Sequence, residues 1–112
     1  MLITEVKRND EAHTLSLTCK GHAGEAGSAI CGGASLIACT VGQIVAAAHH
    51  AGDLLYPPTI ELHEGDAVVK CVCSADSYGE LARCFFFAHT AYMLLAFNHP
   101  DKVSANITED IA

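Results

Sequence analysis

After Ser28 the chain has only one economical way to hide its apolar side chains. Ile30, Ala34, Ile37, Val41, Ile44 or Val45, and Ala48 recur three and four residues apart, which on an α-helix gathers them into one stripe. Ser28 suits the start, because its hydroxyl can accept from the amide of Ile30 or Cys31. Gly52 is placed to end the helix, and Pro57-Pro58 keeps it from resuming. Such a stripe needs an apolar surface to cover it, so the helix demands a layered fold.

Strands on either side can supply that surface. Residues Leu2 to Arg8 are strand-forming types, with Leu2, Thr4 and Val6 on one side. Asn9-Asp10-Glu11 is a polar break, after which Leu15, Leu17 and Cys19 alternate with Ser16, Thr18 and Lys20. That period of two marks a half-buried strand, so residues 1–21 form a β-hairpin. A second hairpin runs from Ile60 and Leu62 through a Glu64-Gly65-Asp66 turn to Val68–Cys73. A second helix is predicted from near Asp76 or Ser77, carrying Leu81, Phe85, Ala88, Tyr92 and Leu95 and closed by Pro100. Val103, Ala105 and Ile107 make a last short strand. The order ββαββαβ predicts an α+β fold, a mostly antiparallel sheet with two helices.

At 112 residues, 51% hydrophobic and 17% charged, the chain fits one domain spanning 1–112 with ample material for a core. Thirteen Asp or Glu against six scattered Lys or Arg give a net charge of −7. No cationic stripe tracks a phosphate backbone, so no direct nucleic-acid binding is expected. An acidic surface favours basic partners, though the same charge also simply keeps a small protein soluble. No run of about 18 apolar residues is evident, so no membrane span is expected. Met1-Leu2-Ile3-Thr4-Glu5 lacks the basic and apolar regions of a signal peptide. Six cysteines without an export signal read as reduced thiols, which implies a cytoplasmic protein.

Chemistry concentrates around residues 21–35. Gly21-His22-Ala23-Gly24-Glu25-Ala26-Gly27-Ser28 is small and glycine-rich, the composition of a mobile loop. If Ser28 caps the helix, Cys31 falls in the first turn, where unpaired amides and the macrodipole favour an anion. His22, carried across by the loop, could take its proton. Gly32 and Gly33 would let a substrate carbonyl approach the helix amides as an oxyanion hole. Ser35, four residues after Cys31, shares its helix face and could support the site or back-bond to the helix. Spacing alone leaves a second possibility open: Cys31 as packing on an Ala-rich helix, and the glycines as close helix–sheet contacts.

Gly21-His22-Ala23, the glycine loop and Ile30-Cys31-Gly32-Gly33-Ala34-Ser35 resemble the Prp family, the ribosomal-processing cysteine proteases of bacteria. That family pairs a Gly-His-Ala strand end with a Val-Cys-Ala-Gly/Ala-x-Ser helix start across a flexible loop. The resemblance implies a His22/Cys31 catalytic dyad, no metal or organic cofactor, and a homodimer with a role in ribosome biogenesis. It implies a substrate too: a short N-terminal extension of a basic large-subunit ribosomal protein, cut after paired aromatic residues and before a small one. Ser28 stands where the family usually carries Asp, and the loop is a few residues shorter. Serine can cap the helix but cannot stabilise an imidazolium by charge. Two alternatives on the same fold are a non-catalytic peptide-binding module and a thiol redox sensor.

Other residues read more plainly. Cys71 and Cys73 flank Val72 on a strand and point to one face. Without a Cys-x-x-Cys pair they read as core rather than as zinc ligands, and no metal site is expected. Cys19 and Cys39 read as core as well, and Cys84 is ambiguous. Phe85-Phe86-Phe87-Ala88 echoes the family's cleavage motif, but its helical position predicts core packing. His49-His50 suits a helix C-terminus. His13, His63, His89 and His99 belong to no recognisable constellation.

Overall fold

A computed structural model describes residues 1–24 and 28–110. Its elements are β1 (Leu2–Asn9), β2 (Thr14–Gly21), α1 (Ala29–His50), β3 (Thr59–His63), β4 (Asp66–Val72), α2 (Ala75–Asn98) and β5 (Val103–Asp110). The strands form one sheet in the order β3-β4-β2-β1-β5. Every neighbouring pair is antiparallel except β1 and β5, which run parallel from Leu2 opposite Val103 onward. The α+β fold with its ββαββαβ order is therefore as the hydrophobic periodicity predicts.

Period-two alternation decides which side of the sheet is covered. Leu2, Thr4 and Val6, then Leu15, Leu17 and Cys19, then Ala67, Val69 and Cys71 are buried, while Ile3, Lys7, Lys20 and Lys70 are exposed on the opposite face. Both helices cover the buried face, α1 against β3 and β4, α2 against β5, β1 and β2. From α1 come Ala34, Ala38, Val41, Val45 and Ala48, and from α2 Leu81, Phe85, Ala88 and Tyr92. Fully buried Tyr92, Phe85, Leu15 and Leu17 each contribute roughly 1.5–3 kcal/mol of apolar burial.

The second helix starts at Ala75, beside the expected Asp76 or Ser77, and Ser74 caps it by accepting from the Ser77 amide. Other expectations are corrected. Cys39 is exposed rather than in the core. It lies one position past buried Ala38, about 100° around the helix, and on an alanine-rich helix residue type does not tell the faces apart. The same geometry divides the Phe run: Phe85 and Ala88 are buried, but Phe86 and Phe87 are 52% and 80% exposed. By length and composition α1 could also cross a membrane, contrary to the expectation of no such segment. Its buried stripe packs on the sheet, as a core helix does.

His89 is 5% exposed and its Nδ1 finds no partner among the described residues. Burial lowers its pKa below the ordinary histidine value. The unfolded chain therefore binds this proton more readily, and stability is lost as pH falls below about 6.5 toward the folded-state value. Urea melts should show a slope of at most about 1.4 kcal/mol per pH unit over that window from this group. His89→Leu should flatten the slope; an unchanged slope would clear His89 of the effect.

Candidate active site

Strand β2 ends at Gly21, whose φ of +93° turns the chain off the sheet. His22 follows, exposed, then buried Ala23. Residues 25–27 of the glycine-rich loop lie outside the described residues, so the expected mobility of that loop does too. The chain re-enters at Ser28, the N-cap of α1. Its Oγ accepts from the Cys31 amide at 3.2 Å and donates to the Ala23 carbonyl at 3.3 Å. One hydroxyl thus caps the helix and ties it to the strand end.

This tie brings the sulfur to the strand end. The Ala23 amide donates to Cys31 Sγ at 3.3 Å. The sulfur's partner is this backbone amide rather than the His22 imidazole. The sulfur thus stands in the first turn of a 22-residue helix with a backbone donor on it. Cys31 is half-buried, neither sealed in the core nor fully open.

His22, Cys31, Gly32 and Ser35 line one cavity of about 240 Å³. Its floor is apolar, from Leu2, Cys19, Ala34, Ala38 and Ala67, and its rim carries His63, Glu64, Gly65 and Asp66 of the β3–β4 turn. Gly33 is not part of the lining. The Ser35 hydroxyl makes no hydrogen bond among the described residues, so neither a bond within the site nor the alternative back-bond to the helix is formed there. The Gly32 amide donates to the Ser28 carbonyl at 2.9 Å. With the Cys31 amide held by Ser28 Oγ, two amides suited to an oxyanion are occupied in this arrangement.

The other cysteines behave differently. Cys19 also lines the cavity, but burial pushes its thiol pKa up, and it donates to Tyr92 Oη at 3.0 Å. That phenol, raised by burial in turn, donates to the Ala34 carbonyl at 3.1 Å, so β2, α2 and α1 are linked behind the cavity. Cys71 and Cys73 lie in the core with their sulfurs 3.8 Å apart, and burial raises both. These three stay as neutral thiols.

Sequence reasoning missed the Ala23 amide, the Cys19–Tyr92–Ala34 chain, and the rim residues His63, Glu64, Gly65 and Asp66. Glu64-Gly65-Asp66 was legible as a turn, but no local signal ties that turn to His22.

Together the elements define a two-layer α+β protein in which a helix-start cysteine and a strand-end histidine share one cavity. No protein-family model matches the chain, and no curated protein does. Solved structures are similar. SMU.848 from Streptococcus mutans superposes with a TM-score of 0.66 at 21% identity, covering 98% of this chain and 96% of that one. The essential ribosomal processing protease Prp from S. aureus, in complex with a covalently linked product peptide, superposes with a TM-score of 0.67 at 15% identity, over 98% of this chain and 100% of that one. The same protease in complex with a substrate peptide gives a TM-score of 0.59 at 14% identity over 100% of both chains. At these identities what is shared is the fold, and this chain has the fold of the Prp protease.

Proposed function

We propose that the chain, acting as one domain, is a cytoplasmic cysteine endopeptidase that trims a short N-terminal extension from a basic ribosomal protein. The observation that carries this reading is that His22 and Cys31 line one cavity in the fold of a processing protease. His22 draws the proton from Cys31, and the thiolate attacks the scissile carbonyl. Amides at the start of α1 hold the oxyanion once the Ser28 hydroxyl yields the Cys31 amide, a long bond at 3.2 Å. His22 then protonates the leaving amine, and water releases the acyl-enzyme. No cofactor takes part in these steps. Glu64 and Asp66 at the rim and the net charge of −7 support a basic peptide as substrate.

The test incubates the protein, and its Cys31→Ala variant, with the extended ribosomal protein of the same cell, and reads the products by mass spectrometry. A cut made only by the unaltered chain is expected; clipping by both forms, or by neither, counts against the assignment. One observation favours a second reading, a peptide-binding module: the sulfur bonds to the Ala23 amide and not to the imidazole. Alkylation separates the two. A protease labels first at Cys31 near neutral pH, and a binder shows no preference for it over the exposed Cys39.

We further propose a homodimer. Its support is an apolar groove between the helices, lined by Leu36 and Phe87, 68% and 80% exposed, with Ile37, Val41, Ile44 and Ala91. Phe87→Asp should halve the mass seen by sedimentation at micromolar concentration. A monomeric unaltered chain would remove the homodimer.

A further inference from the structure

We propose that Gly65, in the turn between β3 and β4, is the positioning residue for His22. The proposal rests on His22 serving as the base for Cys31. A Cβ built on Gly65 would stand 2.8 Å from His22 Nε2 and 3.0 Å from Cε1, closer than nonbonded atoms pack. The Nε2–Cε1 edge of the imidazole is therefore seated on the bare α-carbon of the turn. The seat is tied to the strand that delivers the histidine, because the Gly21 amide donates to the Gly65 carbonyl at 3.0 Å.

The seat is also fixed relative to the sulfur. Cys31 rides on α1, and α1 meets β3 through a second glycine in its interior. A Cβ on Gly42 would stand 3.3 Å from Ile60 Cγ2 and 3.4 Å from Leu62 Cδ1. Glycine is a poor helix residue, and here it admits close approach of the hairpin. The hairpin is thus docked on the helix that carries the nucleophile, while its turn holds the base. Two elements remote in sequence set the spacing of the dyad, a distance to which catalysis is steeply sensitive.

The experiment compares the unaltered chain, His22→Ala and Gly65→Asn by the rate of Cys31 alkylation with iodoacetamide from pH 5 to 9, read at each cysteine by mass spectrometry. Asparagine tolerates the positive φ of +74° at this position but brings the Cβ that displaces the ring. The unaltered chain should show an imidazole-linked limb below the ordinary thiol range, which His22→Ala lacks. Gly65→Asn should lose that limb and react at neutral pH roughly tenfold more slowly, as His22→Ala does. A Gly65→Asn profile that keeps the limb overturns the positioning role and leaves the dyad intact. An unaltered chain without the limb overturns the dyad and this proposal with it. Gly65→Asn in the His22→Ala background gives a second readout: Cys31 reactivity should stay at the His22→Ala level, and a further fall assigns the loss to the turn itself and overturns the proposal.

Discussion

Replacing Cys31 by serine is expected to lower peptide hydrolysis by about 10³-fold or more while the protein melts within about 1 kcal/mol of the unaltered chain. The side chain is half-buried, and a hydroxyl fits where a thiol did, so the fold has little to lose. The chemistry loses far more. A thiol is intrinsically a strong nucleophile, and here it stands at the N-terminus of α1 with the Ala23 amide donating to it. An alcohol is a poor nucleophile without a firmly aligned base. Here the imidazole is seated on Gly65, and the sulfur is bonded to a backbone amide. Steady-state hydrolysis and a thermal melt of the same preparation check both halves. A serine variant within about tenfold of the unaltered rate would remove Cys31 from the nucleophile's role.

Gly21→Ala should be the most damaging single methyl group in the chain, costing about 3 kcal/mol or more in a chemical denaturation series. Two effects add. A φ of +93° is strained for any residue with a Cβ, by roughly 1–3 kcal/mol. That Cβ would also run into the backbone carbonyl of Met1, held in place because Leu2 donates to Lys102 at 2.8 Å and pairs in register with Gly21. Gly24 is the control. Its φ is +91°, but a Cβ there meets nothing within 4 Å among the described residues. Gly24→Ala thus carries the backbone strain without the collision and should cost about 1–2 kcal/mol. Equal losses at the two positions would show that the collision with Met1 contributes nothing. Since His22 follows Gly21 directly, the altered strand end should also slow hydrolysis by about 10²-fold.

Much of the architecture was readable because burial on one face leaves a period. Leu15, Leu17 and Cys19 report a strand, and Ala34, Val41 and Ala48 a helix, since each must meet the same core. Turn and cap chemistry was readable for a similar reason: Ser28, Gly52 and Glu64-Gly65-Asp66 act on backbone a few residues away. Legibility failed where residue type no longer separates inside from outside. Cys39, Phe86 and Phe87 are apolar, yet the helix turns them outward. His89 is polar, yet it stands in the core with no pattern around it to say so.

The site divides along the same line. His22 and Cys31 stand out because a glycine-rich stretch and a helix start set them close in the chain, and both line one cavity. The sequence alone determined the order of elements, the cap beneath Cys31 and the candidate pair, all of which follow from interactions between near neighbours. Only the tertiary structure decided that β5 lies parallel to β1, that the Ala23 amide rests on the sulfur, and that a turn some forty residues away seats the imidazole. Those facts depend on how helices and hairpins pack face to face. Packing is set by the sum of many weak, non-directional contacts, which no short stretch of sequence encodes.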